Sequence, residues 1–186
     1  MINVTEARKG ITVELDSDLY QVLDYEHIKM ARGSATVRLK LKDVRAGHTI
    51  EKTFPATAKL GRARIERQQV QYSYQDGEMF YFMNTQTFDQ TPLSRSQVGD
   101  ASLYLTENAT LDLLTYGEEP IGIELPAAVV LTVTETEPAV KGDTAQGGNK
   151  QAKLETGLTV QVPLFITEGD RLKVDTRSGE YLERAS

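Results

Sequence analysis

The fold is decided by the stretch Thr36-Val37-Arg38-Leu39-Lys40-Leu41-Lys42-Asp43. Apolar and charged residues alternate along it, so that aliphatic side chains fall on one face and cations on the other. A period of two residues is typical of a β-strand that buries one face and exposes the other to water. The stretch therefore predicts a half-buried strand whose outer face is basic.

A short loop precedes this strand and separates it from another strand, predicted over Leu19–Glu26. The loop covers residues 27–35, reads HIKMARGSA and places Arg32 among small residues. These neighbours would let the arginine side chain project into solvent. On spacing alone the loop is an ordinary hairpin turn with a solvated arginine. Whether it has a function depends on the rest of the chain.

Positive charge is concentrated around this loop. The 186 residues carry a net charge of −6, which argues against a simple nucleic-acid-binding protein. Residues 1–64, however, carry 12 Lys and Arg against 8 Asp and Glu, residues 65–126 carry 2 against 10, and residues 127–186 carry 7 against 9. The asymmetry would let one end of the molecule meet a polyanion. The cations near the loop, which by sequence position face only Asp43, are Lys29, Arg32, Arg38, Lys40, Lys42 and Arg45.

The composition disfavours enzyme chemistry and metal binding. There is no cysteine and there are only two histidines, so thiolate ligands and cysteine nucleophiles are excluded, and a histidine-rich metal site is disfavoured. The pair Glu118-Glu119 has no acid/base partner, and the glycine pair Gly147-Gly148 lacks the Lys-Ser/Thr of a phosphate-binding loop. We predict a protein that is not an enzyme and that needs no metal or cofactor.

No targeting or membrane segment is evident in the sequence. No apolar run approaches the ~18 residues of a membrane span. Residues 1–6 have neither the basic region nor the apolar core of a secretory signal. We therefore expect a cytoplasmic protein with no membrane partner.

Turn signals divide the chain into three predicted β modules, residues 1–64, 65–126 and 127–186. In the first, a hairpin of Ile11–Leu15 and Leu19–Leu23 and a strand over Thr49–Phe54 accompany the opening stretch. Such closely spaced short strands suggest a small closed or nearly closed barrel. Because modules of this size are marginal alone, we expect the first and second, or the second and third, to share a packed interface.

The other two modules are also predicted to be built from short strands. Tyr72, Phe80 and Phe82 are assigned to core packing rather than to a base-stacking platform. The strands predicted for the second module are Arg64–Tyr74, Met79–Met83, a segment around Thr87-Phe88, Leu111–Thr115 and Pro120–Leu125, with a helix over Ser94–Leu105 that Gly99 breaks. The strands predicted for the third are Ala128–Thr136, Thr159–Val162, Pro163–Ile166, Arg171–Val174 and Glu180–Leu182, with a loop over Glu137–Lys153.

Several runs of the sequence closely resemble the bacterial elongation factor P family. The most specific of them lies at the C-terminal end, and the resemblance covers the whole chain. The matching residues are Asp76-Gly77-Glu78, Phe82-Met83-Asn84, Thr87–Gln90, Lys141–Ala145, Lys150-x-Ala152, Gly157–Ile166, Gly169-Asp170 and Lys173–Arg184.

The resemblance implies an all-β fold of three small barrels in tandem, an SH3-like (KOW-type) barrel followed by two OB-fold barrels, with a tRNA-like outline. Family members bind both ribosomal subunits between the P and E sites, beside peptidyl-tRNA or initiator tRNA. They relieve stalling at consecutive prolines by holding the P-site tRNA in a productive geometry. The peptide bond itself is made by ribosomal RNA. The resemblance further implies a monomer with no cofactor.

In the family, the loop of the first barrel reaches toward the acceptor end of the tRNA with a Lys or Arg at its tip. Alignment of Lys29 and Gly33 with the family loop puts Arg32 at that tip. Met30 and Ala31 replace the proline and glycine common in the family, and an arginine cannot receive the β-lysine of lysine-tip members. Some arginine-tip members are rhamnosylated and others act unmodified. Our hypothesis is that Arg32 resembles the latter.

The resemblance also implies further RNA contacts. Lys29, Gly33, Ser34, Arg38 and Lys40 would contact the tRNA around the tip and along its backbone. In the third module, Gly142, Asp143 and Thr144 match the family segment near the E-site codon of the mRNA, although by themselves they read as an Asx-type turn. Tyr181 and Arg184 match the C-terminal run, and either RNA contact or barrel packing would explain them.

Two alternatives stay open at this stage. One is the elongation factor P-like paralogue, whose tip also reads Ala-Arg-Gly-x-Ala. Val174-Asp175-Thr176-Arg177 and the Gly142-Asp143-Thr144 segment favour elongation factor P itself. The other is a general OB-fold RNA-binding protein or enzyme subunit, which the acidic middle module disfavours.

Overall fold

The computed structural model describes residues 1–138 and 148–185, and these residues form three antiparallel sheets. Each sheet is made from consecutive strands of the chain and encloses its own apolar cluster. We refer to them as the first, central and third barrels. The all-β prediction is confirmed.

The first barrel has the strand order β1-β6-β2-β3-β4-β5. The alternation that predicted β4 is confirmed, because its aliphatic residues Val37, Leu39 and Leu41 are completely buried. Strand β3 extends to Ile28, so that it includes the first two residues of the predicted loop. The strands are Ile2–Asn3 (β1), Thr12–Leu15 (β2), Asp18–Ile28 (β3), Thr36–Asp43 (β4), Thr49–Pro55 (β5) and Lys59–Arg62 (β6). Strands β1 and β6 were not predicted from the sequence.

The central barrel has the strand order β11-β10-β7-β8-β9. The predicted strand around Thr87-Phe88 is wrong, because Asn84 Oδ1 accepts hydrogen bonds from the backbone N–H groups of Gln86 and Thr87 and closes a turn there. The strand begins only at Gln90. The strands are Glu66–Asp76 (β7), Met79–Asn84 (β8), Gln90–Ser94 (β9), Thr110–Tyr116 (β10) and Glu119–Glu124 (β11).

The predicted helix of the central barrel is short and is broken at Gly99, as expected. Helix α1 spans Arg95–Val98, and Ser94 caps it by accepting a hydrogen bond from the backbone N–H of Gln97. Gly99 has a φ of +61°, which an α-helix cannot continue. The chain then follows a 3₁₀ helix over Gly99–Tyr104.

The third barrel has the strand order β14-β13-β12-β15-β16. Two predictions are wrong here. The C-terminal part of the loop predicted over Glu137–Lys153 forms strand β13, and the strand predicted over Pro163–Ile166 is a turn closed by a hydrogen bond from Ile166 N to Pro163 O. The strands are Ala128–Thr136 (β12), Asn149–Leu154 (β13), Thr159–Pro163 (β14), Arg171–Asp175 (β15) and Tyr181–Ala185 (β16).

The central aromatic residues belong to the core, as predicted. Phe82 is completely buried and Phe80 is 3% exposed. The ring of Tyr72 lies 5.7 Å from that of Phe82, and burial raises the pKa of the Tyr72 hydroxyl. Phe80 and Phe82 are therefore unavailable as a stacking platform for bases, and Tyr72 is partly buried against the same core.

Both pairs of neighbouring barrels share a packed interface, which confirms that expectation. Between the first and central barrels, Leu19, Ala63 and Ile121 are buried together. Between the central and third barrels, Tyr104 packs against the third core and the Thr156 hydroxyl donates a hydrogen bond to Leu103 O.

Candidate nucleic-acid interface

The hairpin of β3 and β4 carries the loop Lys29–Ala35 at its end. The cross-strand pair Ile28 and Thr36 closes the hairpin immediately before the loop. Every residue from Lys29 to Ser34 is exposed, including Met30, which is 66% exposed. Among residues 1–138 and 148–185, the Arg32 guanidinium has no hydrogen-bond or ion-pair partner. The structure thus presents an uncompensated cation at an exposed tip.

The base of this hairpin is held on both sides. Strand β4 pairs with β3 along one edge and with β5 along the other. The backbone N–H of Ala56 donates to the Ala35 carbonyl at 2.9 Å, which ties the last residue of the loop to the end of β5. The exposed loop therefore projects from a strand that is paired along both edges.

The basic face of β4 is not free of carboxylates, and the expectation that its cations face only Asp43 is wrong. Glu26 on β3 lies directly opposite Arg38, and both Nε and Nη2 of Arg38 donate to Glu26 Oε2. This hydrogen bonding raises the pKa of Arg38. Lys40 lies between Asp24 on β3 and Glu51 on β5. The sheet register brings these carboxylates in, because cross-strand neighbours come from other parts of the chain.

The remaining cations of the group have different surroundings. Arg45 forms an ion pair with Glu119 of the central barrel, and Lys42 lies in the cleft between the first and central barrels. Asp43 is buried and accepts hydrogen bonds from the backbone of Arg45 and Ala46. Among the described residues, Lys29 and Arg32 at the tip therefore form no ion pair, whereas Arg38 and Arg45 each pair with a glutamate.

The predicted site residues of the third barrel do not form one cluster in the described part of the chain. Gly142, Asp143 and Thr144 lie outside the described residues. Tyr181 is half-buried and packs against the third core. Arg184 is exposed, and its guanidinium lies 5.5 Å from the ring centroid of Phe165, which is itself 58% exposed. No sequence pattern pointed to this pair, because Phe165 and Arg184 are 19 residues apart in the chain.

Within 1–138 and 148–185, no group of three or more His, Cys, Asp or Glu side chains is placed to hold a metal ion. No helix in this part of the chain is long and apolar enough to cross a membrane.

Comparison with known proteins identifies the family. Three family models match consecutive parts of the chain: the elongation factor P KOW-like domain over residues 3–60, the elongation factor P OB domain over residues 65–123, and the elongation factor P C-terminal domain over residues 129–184. The chain belongs to the elongation factor P family. The predicted family is confirmed, and with it the prediction of a KOW-like barrel and OB-fold barrels.

Relatives named elongation factor P are similar in sequence to this chain over its full length. Elongation factor P of Moorella thermoacetica is 53% identical over 185 residues, covering all of both chains. Elongation factor P of Pelotomaculum thermopropionicum is 49% identical over 184 residues, which are 99% of this chain and all of the relative. This protein is therefore a translation elongation factor of the elongation factor P family.

A solved structure shares part of this fold. The eukaryotic translation initiation factor 5A from Methanococcus jannaschii has a TM-score of 0.51 and 19% sequence identity. The match covers 67% of this chain and 91% of that one. At this identity the likeness shows a shared fold alone.

Proposed function

We propose that this elongation factor binds the ribosome between the P and E sites and brings Arg32 to the acceptor end of P-site peptidyl-tRNA or initiator tRNA. There it promotes peptide bond formation and relieves stalling at consecutive prolines. The observation that carries the proposal is the exposed tip, in which Arg32 has no partner among the described residues. A guanidinium held there can pair with two phosphate oxygens or stack on a base.

The protein acts by positioning and not as an enzyme. Proline constrains the reacting groups, so the alignment of the P-site tRNA limits the rate, and a factor that fixes this alignment lowers an entropic barrier. Ribosomal RNA makes the bond. The factor works in the cytoplasm as a monomer and needs no cofactor.

The other contacts follow from exposure and charge. Lys29, Gly33 and Ser34 are exposed beside Arg32 and contact the acceptor end with it. Arg38 and Lys40 contribute less to the affinity for the RNA backbone than their charge suggests, because Glu26, Asp24 and Glu51 surround them.

Two further contacts lie in the third barrel. Gly142, Asp143 and Thr144 contact the E-site codon of the mRNA. Arg184, with Phe165, offers an exposed guanidinium and ring to RNA, whereas Tyr181 supports the barrel.

The test is translation in vitro of a reporter that contains a Pro-Pro-Pro stretch. We expect added protein to restore full-length product and to leave a matched Ala-Ala-Ala reporter unchanged. Ribosomes that stay stalled at the prolines in its presence would overturn the proposal.

We further propose that Arg32 acts unmodified. Gly33 and the neighbouring small residues leave the guanidinium accessible, and its fork of donors can bind phosphate without an added group. The intact mass of the protein purified from its natural host should equal the mass calculated from the sequence. A mass increase of one deoxyhexose, located on the peptide containing Arg32, would contradict this.

A further inference from the structure

A two-armed ion pair joins the first barrel to the central barrel. Arg45 Nε donates to Glu119 Oε1 at 2.8 Å, and Arg45 Nη2 donates to Glu119 Oε2 at 2.9 Å. Two parallel bonds fix the plane of the guanidinium as well as its distance from the carboxylate. The bond from Arg45 lowers the pKa of Glu119, and the bond to Glu119 raises the pKa of Arg45. Both groups therefore stay charged at neutral pH.

Arg45 is itself held firmly by the first barrel. It lies in the turn between β4 and β5, where Asp43 Oδ1 accepts hydrogen bonds of 2.8 Å from the backbone N–H groups of Arg45 and Ala46. Its Nη1 donates to the Ser17 carbonyl at 3.4 Å, in the turn between β2 and β3. Arg45 thus ties two turns of the first barrel to the central barrel.

The rest of this interface is close but largely non-directional. Leu19 and Ile121 are almost completely buried and belong to a small apolar cluster between the barrels. Gly47 has a φ of +85°, and a Cβ at this position would lie 2.9 Å from the Ser96 carbonyl oxygen. Apolar contacts favour association without selecting one orientation. The paired hydrogen bonds of Arg45 and Glu119 supply that directional restraint.

The pair lies far enough from the tip loop that a small rotation between the barrels would displace the tip by several ångströms. Strand β4 begins at Thr36, next to the loop, and ends at Asp43, next to Arg45. Its eight residues span about 25 Å at the usual rise of a strand. A rotation of about 10° at the interface would then move Arg32 by about 4 Å. Misplacement of a reacting group by about 1 Å is enough to slow a positioned reaction strongly.

We propose that Arg45 and Glu119 are positioning residues that set the angle between the first and central barrels and so determine the position of Arg32. The part of this inference that concerns stalling rests on the proposed function. The part that concerns the angle does not, and it is tested separately.

The angle is tested by a distance between two spin labels. The chain has no cysteine, so Ser34→Cys on the tip loop and Gln86→Cys on the central barrel provide unique labelling sites. We expect a single narrow distance distribution in the otherwise unchanged protein and a broader or shifted one with Glu119→Gln. The charge swap Arg45→Glu with Glu119→Arg should restore the distribution in part, because Asp18 and Asp43 lie near position 45 and repel a carboxylate there. Glu124→Gln is the matched control, because its partner Arg67 lies in the same barrel.

The same substitutions, without labels, are then tested for relief of stalling. We expect Glu119→Gln to reduce the rate of rescue by about fivefold, since a half-exposed pair restrains the angle without being its sole determinant. The charge swap should recover part of the rate, and Glu124→Gln should leave it unchanged. Chemical denaturation of each variant, measured alongside, shows whether a loss of fold stability accounts for the slower rescue.

Several outcomes would overturn the inference. An unchanged distance distribution with Glu119→Gln would show that the pair does not set the angle. A changed distribution with an unchanged rate of rescue would show that the angle between the barrels does not control how Arg32 acts in rescue. If the unsubstituted protein gives no rescue, the proposed function fails, and the label distances still decide whether the pair fixes the angle.

Discussion

Arg32→Ala should reduce the relief of stalling at a Pro-Pro-Pro stretch to the level seen without the factor, while the free energy of unfolding changes by less than about 0.5 kcal/mol. The side chain is exposed and makes no contact that the fold needs among the described residues. Its loss therefore removes a contact to RNA and little else. Rescue is measured as full-length product in translation in vitro, and stability by chemical denaturation.

Two further substitutions sharpen this experiment. Arg32→Lys keeps the charge but loses the planar fork, so we expect it to recover only a small part of the activity. Arg171→Ala removes an exposed arginine from the third barrel and should leave rescue unchanged. Full rescue by Arg32→Ala would refute the role of this residue. Full rescue by Arg32→Lys would show that charge alone suffices.

Phe82→Ala should destabilise the central barrel by about 3–5 kcal/mol. Phe82 is completely buried, with Tyr72 packed against its ring, and truncation leaves a cavity that the surrounding strands cannot fill without moving. Such a loss is a large fraction of the total free energy of unfolding of a small domain. The measurement is hydrogen exchange on peptides from residues 66–124, where protection should be lost.

The matched control is Phe88→Ala, in the same barrel. Phe88 is 69% exposed in the turn between β8 and β9, so its truncation should change stability by less than about 0.5 kcal/mol. If Phe82→Ala instead preserved protection and weakened RNA binding, Phe82 would belong to a stacking surface and its assignment to the core would be wrong.

The wrong strand prediction around Thr87-Phe88 and the two strands not predicted have different physical causes. Residues around Thr87-Phe88 have the residue types of a strand, but the Asn84 side chain bonds to the backbone and makes a turn more favourable. Strands β1 and β6 are too short to show a period of two. They form because strands that are distant in sequence pair with them. Strand β1 pairs with β6, and β6 pairs with both β1 and β2.

The sequence by itself determined the strand Thr36–Asp43, its buried face and the exposed Arg32 before it, because alternation and turn composition are local properties of the chain. It also determined the family. Only the tertiary structure decided where the charge acts. Glu26 is 12 residues from Arg38 and Glu119 is 74 residues from Arg45, yet each pair is in direct contact. Contacts of this kind depend on strand register and on how the barrels pack, and neither is visible in the order of residues.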